Sequence, residues 1–160
     1  MLLYHGSHTI VEVPALNHSR KNTDFGRGFY TTTNFDQAAK WAEIKREREA
    51  VKYGYVSIFE MDENVLSSPD YNIFKFTGPT EKWLDFVVAN RRGAQTEEYD
   101  MVEGPVANDR LYATIALYEQ GILSAKACIE QLQTHKLFNQ LSFNTEKAIK
   151  LLSYIEAKRI

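Results

Sequence analysis

His5 in LYHGS, Tyr30 in DFGRGFYTT and Trp41 in NFDQAAKW stand in contexts that point to chemistry, the last two eleven residues apart. With Gly6 and Ser7 they offer hydrogen-bonding groups beside flat π surfaces, which is what holding a dinucleotide such as NAD with its nicotinamide end buried requires. Singly, each residue also has a structural reading. His5 follows an apolar run as a core histidine does, Tyr30 beside Phe29 is a strand aromatic, and Trp41 is the large core residue of a helix. Gly26 and Gly28 form a G-x-G without the third glycine, preceding strand and following helix of a dinucleotide fingerprint, so no Rossmann reading follows. Arg27 between them, and Arg20 and Lys21 before them, are cations suited to a pyrophosphate or equally to a solvated loop.

The elements that must carry these residues follow from periodicity. Residues 1–5 are apolar and run into Gly6-Ser7, predicting a first strand that ends at a turn, and the β-rich FYTTT at 29–33 predicts a second. Asn34 or Asp36 caps the helix that follows, with Ala38, Ala39, Trp41 and Ala42 on its inner face. Its far end, where Lys45, Arg46 and Arg48 alternate with Glu43, Glu47 and Glu49, reads as self-paired surface. Further strands are predicted over 54–60, 72–76, 99–102 and 139–143. Helices are predicted over 80–91, over 108–118 with Asn108 or Asp109 as cap, over 124–134 and from Thr145; residues 151–160 fit a helix or an edge strand. Strands and helices interleave irregularly, which favours an α+β class.

A chain of 160 residues that is 44% hydrophobic and 12% aromatic suffices for one core, so a single domain over 1–160 is expected. Nineteen basic residues against twenty-one acidic ones produce no global field toward nucleic acid or an anionic membrane. The single cysteine, Cys128, cannot form an internal disulfide, and with four scattered histidines it makes no structural zinc site. No apolar run is long enough to cross a bilayer and the N-terminus lacks a basic n-region, so a cytoplasmic protein is expected.

The ordered set LYHGS, DFGRGFYTT, Trp41 and the late NQLSF at 139–143 resembles the catalytic core of the ADP-ribosyltransferase superfamily, nearest its poly-ADP-ribose-polymerase-like branch. That pattern has a histidine in HGS or HGT, a tyrosine closing an FGxG phrase, a stacking aromatic eleven residues on and usually a glutamate on a late strand. NFDQAAKW is similar to the family phrase SKSANY, and the match covers residues 2–42 and, thinly, 138–144. The whole chain also resembles a short bacterial family of unknown function in that superfamily, through YDMVEGPVAND and QLSFNTEKAIKLL.

The resemblance implies a mixed, split antiparallel sheet with surrounding helices and a helical insert over about residues 77–137. It implies NAD as co-substrate. His5 would bond the adenosine-proximal ribose, the Gly6 backbone and Ser7 hydroxyl would hold the carboxamide, and Tyr30 and Trp41 would sandwich the nicotinamide, with Arg27 and Gly28 counted in the same site. Cleavage of the nicotinamide bond passes through an oxocarbenium-like state that a nearby carboxylate stabilises. The implied catalytic set is His5, Tyr30 and Gln140, the last standing where the family has its glutamate. A glutamine carbonyl accepts a hydrogen bond from a ribose hydroxyl, but it carries no charge and cannot be a general base. Chain elongation is therefore not expected. Glu103 and Asp109 are candidate substitutes, against readings as a turn residue and a helix cap, and Glu146 reads as a helix-dipole partner.

The expected function is an NAD-dependent mono-ADP-ribosyltransferase with an unknown macromolecular acceptor and, by analogy, a toxin or effector role checked by an antitoxin partner. The alternatives are a catalytically silent NAD or ADP-ribose binding module, an NAD glycohydrolase, and an interaction domain whose aromatics only pack a core.

Overall fold

The computed structural model describes residues 1–17, 21–94, 97–106, 109–133 and 138–160, with the backbone alone for 109–111. Seven strands pair in one mixed sheet: β1 (Leu2–Ser7), β2 (Phe29–Thr32), β3 (Tyr55–Glu60), β4 (Ile73–Lys75), β5 (Met101–Pro105), β6 (Asn139–Phe143) and β7 (Ser153–Arg159). Their order is β4-β5-β6-β2-β1-β3-β7, with β4 and β5 parallel and the other neighbours antiparallel. Five helices are described: α1 (Phe35–Arg48), α2 (Glu81–Arg91), α3 (Asp109–Glu119), α4 (Ala125–Gln133) and α5 (Glu146–Ile149). Side chains of Asn34, Thr80 and Thr145 cap α1, α2 and α5 by accepting from the N–H groups of Gln37, Trp83 and Ala148.

Strand alternation divides the core between the two faces of the sheet. On one, Leu3, Phe29, Phe59, Leu141 and Phe143 close against Ala148 and Ile149 of α5. On the other, two helical blocks stand side by side. Ala38 and Ala42 of α1 cover Val56 and Ile58 of β3, while Trp83, Leu84 and Val87 of α2 pack with Ile115, Leu132 and Val102.

The sheet is narrowest where those blocks meet. β1 pairs with β3 through six residues and β2 with β6 through four, yet β1 and β2 share a single pair, Tyr4 with Thr32. Two half-sheets, β4-β5-β6-β2 and β1-β3-β7, are thus joined at one pair, and beyond it β1 and β2 form no further ladder pair. Helix α1 seats on the far side of this seam at Gly6. A Cβ there would lie 2.0 Å from Ala38 O and 2.8 Å from the Ala42 nitrogen, so the helix backbone approaches as only glycine allows.

The α+β class holds, with three departures from the sequence reading. β1 continues through Gly6 and Ser7, because both residues pair with β3, at Val56 and Tyr55, and do not turn. The segment 77–137 is not purely a helical insert: it contributes β5, which lies between β4 and β6 inside the sheet. The C-terminal segment is an edge strand, β7, the second of its two readings. Asn108 and Thr134, offered as helix boundaries, lie outside the described residues. No described helix is long and apolar enough to cross a membrane.

Gly6→Ala forces α1 off β1. At an overpacking cost of about 2 kcal/mol, the melting temperature is expected to drop by at least about 4 °C. Gly78→Ala, whose methyl meets nothing within 4 Å, is the control. Calorimetry that finds the two variants equally stable overturns this account of the strand–helix contact.

Candidate functional site

The turn entering β2 is closed by side chains on every side. The Tyr30 hydroxyl donates to Gly26 O at 2.6 Å and accepts from the Phe25 N–H at 3.0 Å, while Asn144 Nδ2 donates to both Phe25 O and Arg27 O at 2.9 Å. Gly26 adopts φ +76°, and a Cβ on Gly28 would lie 2.9 Å from Asn144 Nδ2. Both glycines of DFGRG therefore answer to backbone geometry. Burial pushes the Tyr30 phenol pKa well above its ordinary value, against the hydrogen bond from Thr23, so the ring is a neutral surface at physiological pH.

On the other bank of the seam, His5 Nδ1 lies 2.7 Å from Tyr30 O. A carbonyl only accepts, so Nδ1 carries the proton and bridges the two strands where the backbone ladder has stopped. The ring stacks on Phe29 at 4.2 Å. Burial, reinforced by the charge of Lys45 and opposed by the bond to Tyr30, pushes the His5 pKa down to about 3. The imidazole is neutral. One residue on, Gly6 O accepts from Lys45 Nζ at 2.8 Å, so an ammonium group sits at the main-chain carbonyl of the HGS phrase.

From β6, the buried Gln140 reaches the same helical face as Tyr30. Its Nε2 lies 3.4 Å from Asp24 Oδ2, and Asp24 Oδ1 accepts from Arg91 Nε and Nη2 at 3.0 and 2.7 Å. Asp24 is 6% exposed and Gln140 5%. The guanidinium of Arg91 stacks in turn on the Tyr112 ring, 4.0 Å from its centroid. A carboxylate held by an arginine fork thus stands behind Gln140.

Trp41 departs from its core reading. It is half-buried, belongs to none of the three apolar clusters and stacks on no ring among the described residues. At about 100° per residue, Gln37, Trp41 and Lys45 share the flank of α1 opposite Phe35 and Ala39. Phe35 and Ala39 pack toward β3, and Lys45 reaches Gly6, so the Trp41 flank faces the seam.

Gly6, Tyr30, Trp41 and Gln140 lie about the seam on the helical side of the sheet, the His5 ring reaches it from the opposite face through its bond to Tyr30 O, and the other named residues lie aside. Ser7 shares the strand face of His5 and Leu3, away from Tyr30. Arg27 donates through Nε to Leu16 O, on the side of the α5 cluster. Glu103 pairs across strands with Leu141, so it faces away from Gln140, and meets Lys75 at 3.8 Å. The Asp109 side chain lies outside the described residues. Two open grooves, of about 310 Å³ beside Tyr4 and Ile58 and about 350 Å³ between α2 and α3, lie away from the seam. Asp24, Arg91, Lys45 and Asn144 join the site without having been singled out as site residues from sequence. Lys45 carries a signal there in its four-residue spacing from Trp41, and Asp24 opens the DFGRGFYTT phrase.

A histidine whose folded pKa of about 3 lies below its ordinary 6.5 contributes stability that is complete above pH 6.5 and is lost as pH falls toward 3. His5→Asn keeps a donor for Tyr30 O but does not titrate. The stability advantage of the native protein over this variant, from denaturant melts, is expected to shrink by about 1 kcal/mol per unit between pH 6 and 4. A constant difference across that range contradicts a neutral, buried His5.

Searches of curated proteins and of solved structures return no significant match. A family model described as a protein of unknown function, DUF3990, matches residues 1–154. The chain therefore belongs to the DUF3990 family.

Proposed function

We propose that the protein is an NAD-dependent mono-ADP-ribosyltransferase, serving as a bacterial toxin or effector restrained by an antitoxin partner. The reading rests on one observation above the rest: the one-pair seam, which sets His5 and Gly6 of one half-sheet against Tyr30 and Gln140 of the other, with Trp41 on the helix alongside. The resemblance implies a split sheet, and the single pair between β1 and β2 supports that reading. A large aromatic without a core partner, facing strand edges that share no further pair, is a ready surface for a planar ring. In the reaction, the bond between the ribose C1 and nicotinamide breaks with its electron pair on the departing ring. The acceptor's nucleophile then bonds to C1 and loses its proton to solvent. Gln140 accepts from a ribose hydroxyl, and the neutral His5 offers Nε2 as an acceptor.

A second reading, a silent NAD or ADP-ribose binding module, is favoured by two features. Gln140 is uncharged, and the carboxylate beside it is already paired with Arg91. With water as acceptor, the same arrangement is an NAD glycohydrolase.

The deciding experiment incubates native protein and Gln140→Glu with NAD, with and without cell lysate, and follows nicotinamide release and label transfer by mass spectrometry. Transfer by the native protein is the expected result. Free ADP-ribose as sole product selects the glycohydrolase, and release by the variant alone selects the binding module. Silence from both, with no thermal shift on adding NAD, ends the NAD reading.

A further inference from the structure

We infer that Asp24 is a positioning residue that fixes the amide of Gln140 with its carbonyl oxygen toward the bound dinucleotide's ribose, an inference that rests on the NAD reading. A carboxylate can only accept, so the group of Gln140 facing Asp24 Oδ2 at 3.4 Å must be its NH₂. Oε1 is thereby turned the other way. No donor among the described residues reaches that oxygen. A buried amide with its NH₂ anchored on a carboxylate and its oxygen not engaged by any described donor is set to receive a hydroxyl donor.

Asp24 is itself held. Both Arg91 donors converge on Oδ1, Oδ2 is the oxygen that faces Gln140, and the stacking of Arg91 on Tyr112 steadies the fork. The negative end of this chain also polarises the amide, which makes Oε1 a stronger acceptor for a hydroxyl on a ribose that is gaining positive charge. Gln140 touches substrate in this scheme, and Asp24 acts through it.

Asp24→Asn reverses the arrangement. Arg91 claims the asparagine oxygen, the asparagine NH₂ faces Gln140, and the glutamine amide flips to meet it. The expected result is a kcat for nicotinamide release at least tenfold lower with KM for NAD within threefold, since the groups that grip the ring are untouched. An unchanged kcat in an active native background overturns the inference alone. A native protein that neither binds nor cleaves NAD overturns it together with the function.

Because Asp24→Asn disturbs a buried ion pair, a second measurement bears on the juxtaposition without relying on activity. Among the described residues, the charged and titratable groups facing position 140 are Asp24 from the turn, Arg91 from α2 and Tyr30 from β2, while Glu103 of β5 is on the opposite face. A carboxyl placed there by Gln140→Glu meets Asp24 and keeps its proton to higher pH in the folded state. Its favourable share is whole below the unfolded carboxyl pKa and disappears as pH rises. The melting temperature of Gln140→Glu is expected to fall progressively behind the native one from pH 5 to 8. The Asp24→Asn/Gln140→Glu double variant is expected to show no such trend. Parallel trends in the two variants remove Asp24 from contact with position 140 and overturn the inference.

Discussion

The hydrogen bond from the His5 imidazole to the Tyr30 carbonyl is the interaction on which the rest of this architecture depends. A sheet gains its rigidity from repeated main-chain pairs, and here two half-sheets share one, Tyr4 with Thr32. Beyond that pair the edges of β1 and β2 would offer unpaired backbone groups in a buried setting, at about 1–3 kcal/mol for each group left unsatisfied. A side chain closes the gap. Nδ1 of His5 serves Tyr30 O, and Lys45 serves Gly6 O from the helix. The chain can thus end the β1–β2 ladder after one pair while keeping these two carbonyls bonded.

Charge placement follows from the same constraint. The imidazole must stay neutral because it is buried and because Lys45 stands near it, and that ammonium is needed where the ladder has ended. On the other bank, Asp24 is buried with its arginine, so the pair adds orientation without net charge. Asn144 and Tyr30 lock the intervening turn from two sides, so the groups of β2 and β6 keep their spacing as one unit.

Local signals were sufficient for most of the fold. The cap at Asn34, the helices beginning near Thr80 and Thr145, and the strands around Tyr30 and Gln140 are dictated by neighbours within a few residues, and all of them appear in the structure. The extension of β1 through Gly6-Ser7 was not legible, because the glycine that looks like punctuation is there for the helix that lands on it from 32 residues further along. β5 was only half legible: Gly104-Pro105 reads as a stop, but the parallel partner β4 and the antiparallel partner β6 hold it in the sheet. At the site, His5, Tyr30, Trp41 and Gln140 could be picked out by type and order. The pairing of Asp24 with Arg91 could not, since an ion pair across 67 residues leaves no trace in either local pattern. Glu103 was a reasonable acidic candidate until strand register turned it to the other face.

What distinguishes this site from one with a carboxylate at position 140 is therefore a matter of magnitude more than of shape. A hydrogen bond to a charged group contributes about 1.5–3 kcal/mol, and one between neutral groups about 0.5–1.5. On the proposed reading, the amide forgoes roughly 1–1.5 kcal/mol at the ribose hydroxyl, about a tenfold slower bond cleavage. Loss of a general base costs a further factor of about 10²–10⁴ wherever the acceptor must be deprotonated. The first penalty is tolerable for an enzyme that modifies an acceptor once, and polarisation through Asp24 offsets part of it. The second falls on acceptors that are weakly acidic hydroxyls, including those of ADP-ribose itself. On the proposed reading, a neutral residue at position 140 thus permits a single transfer to a nucleophile that needs little activation and disfavours the repeated transfers that build a chain.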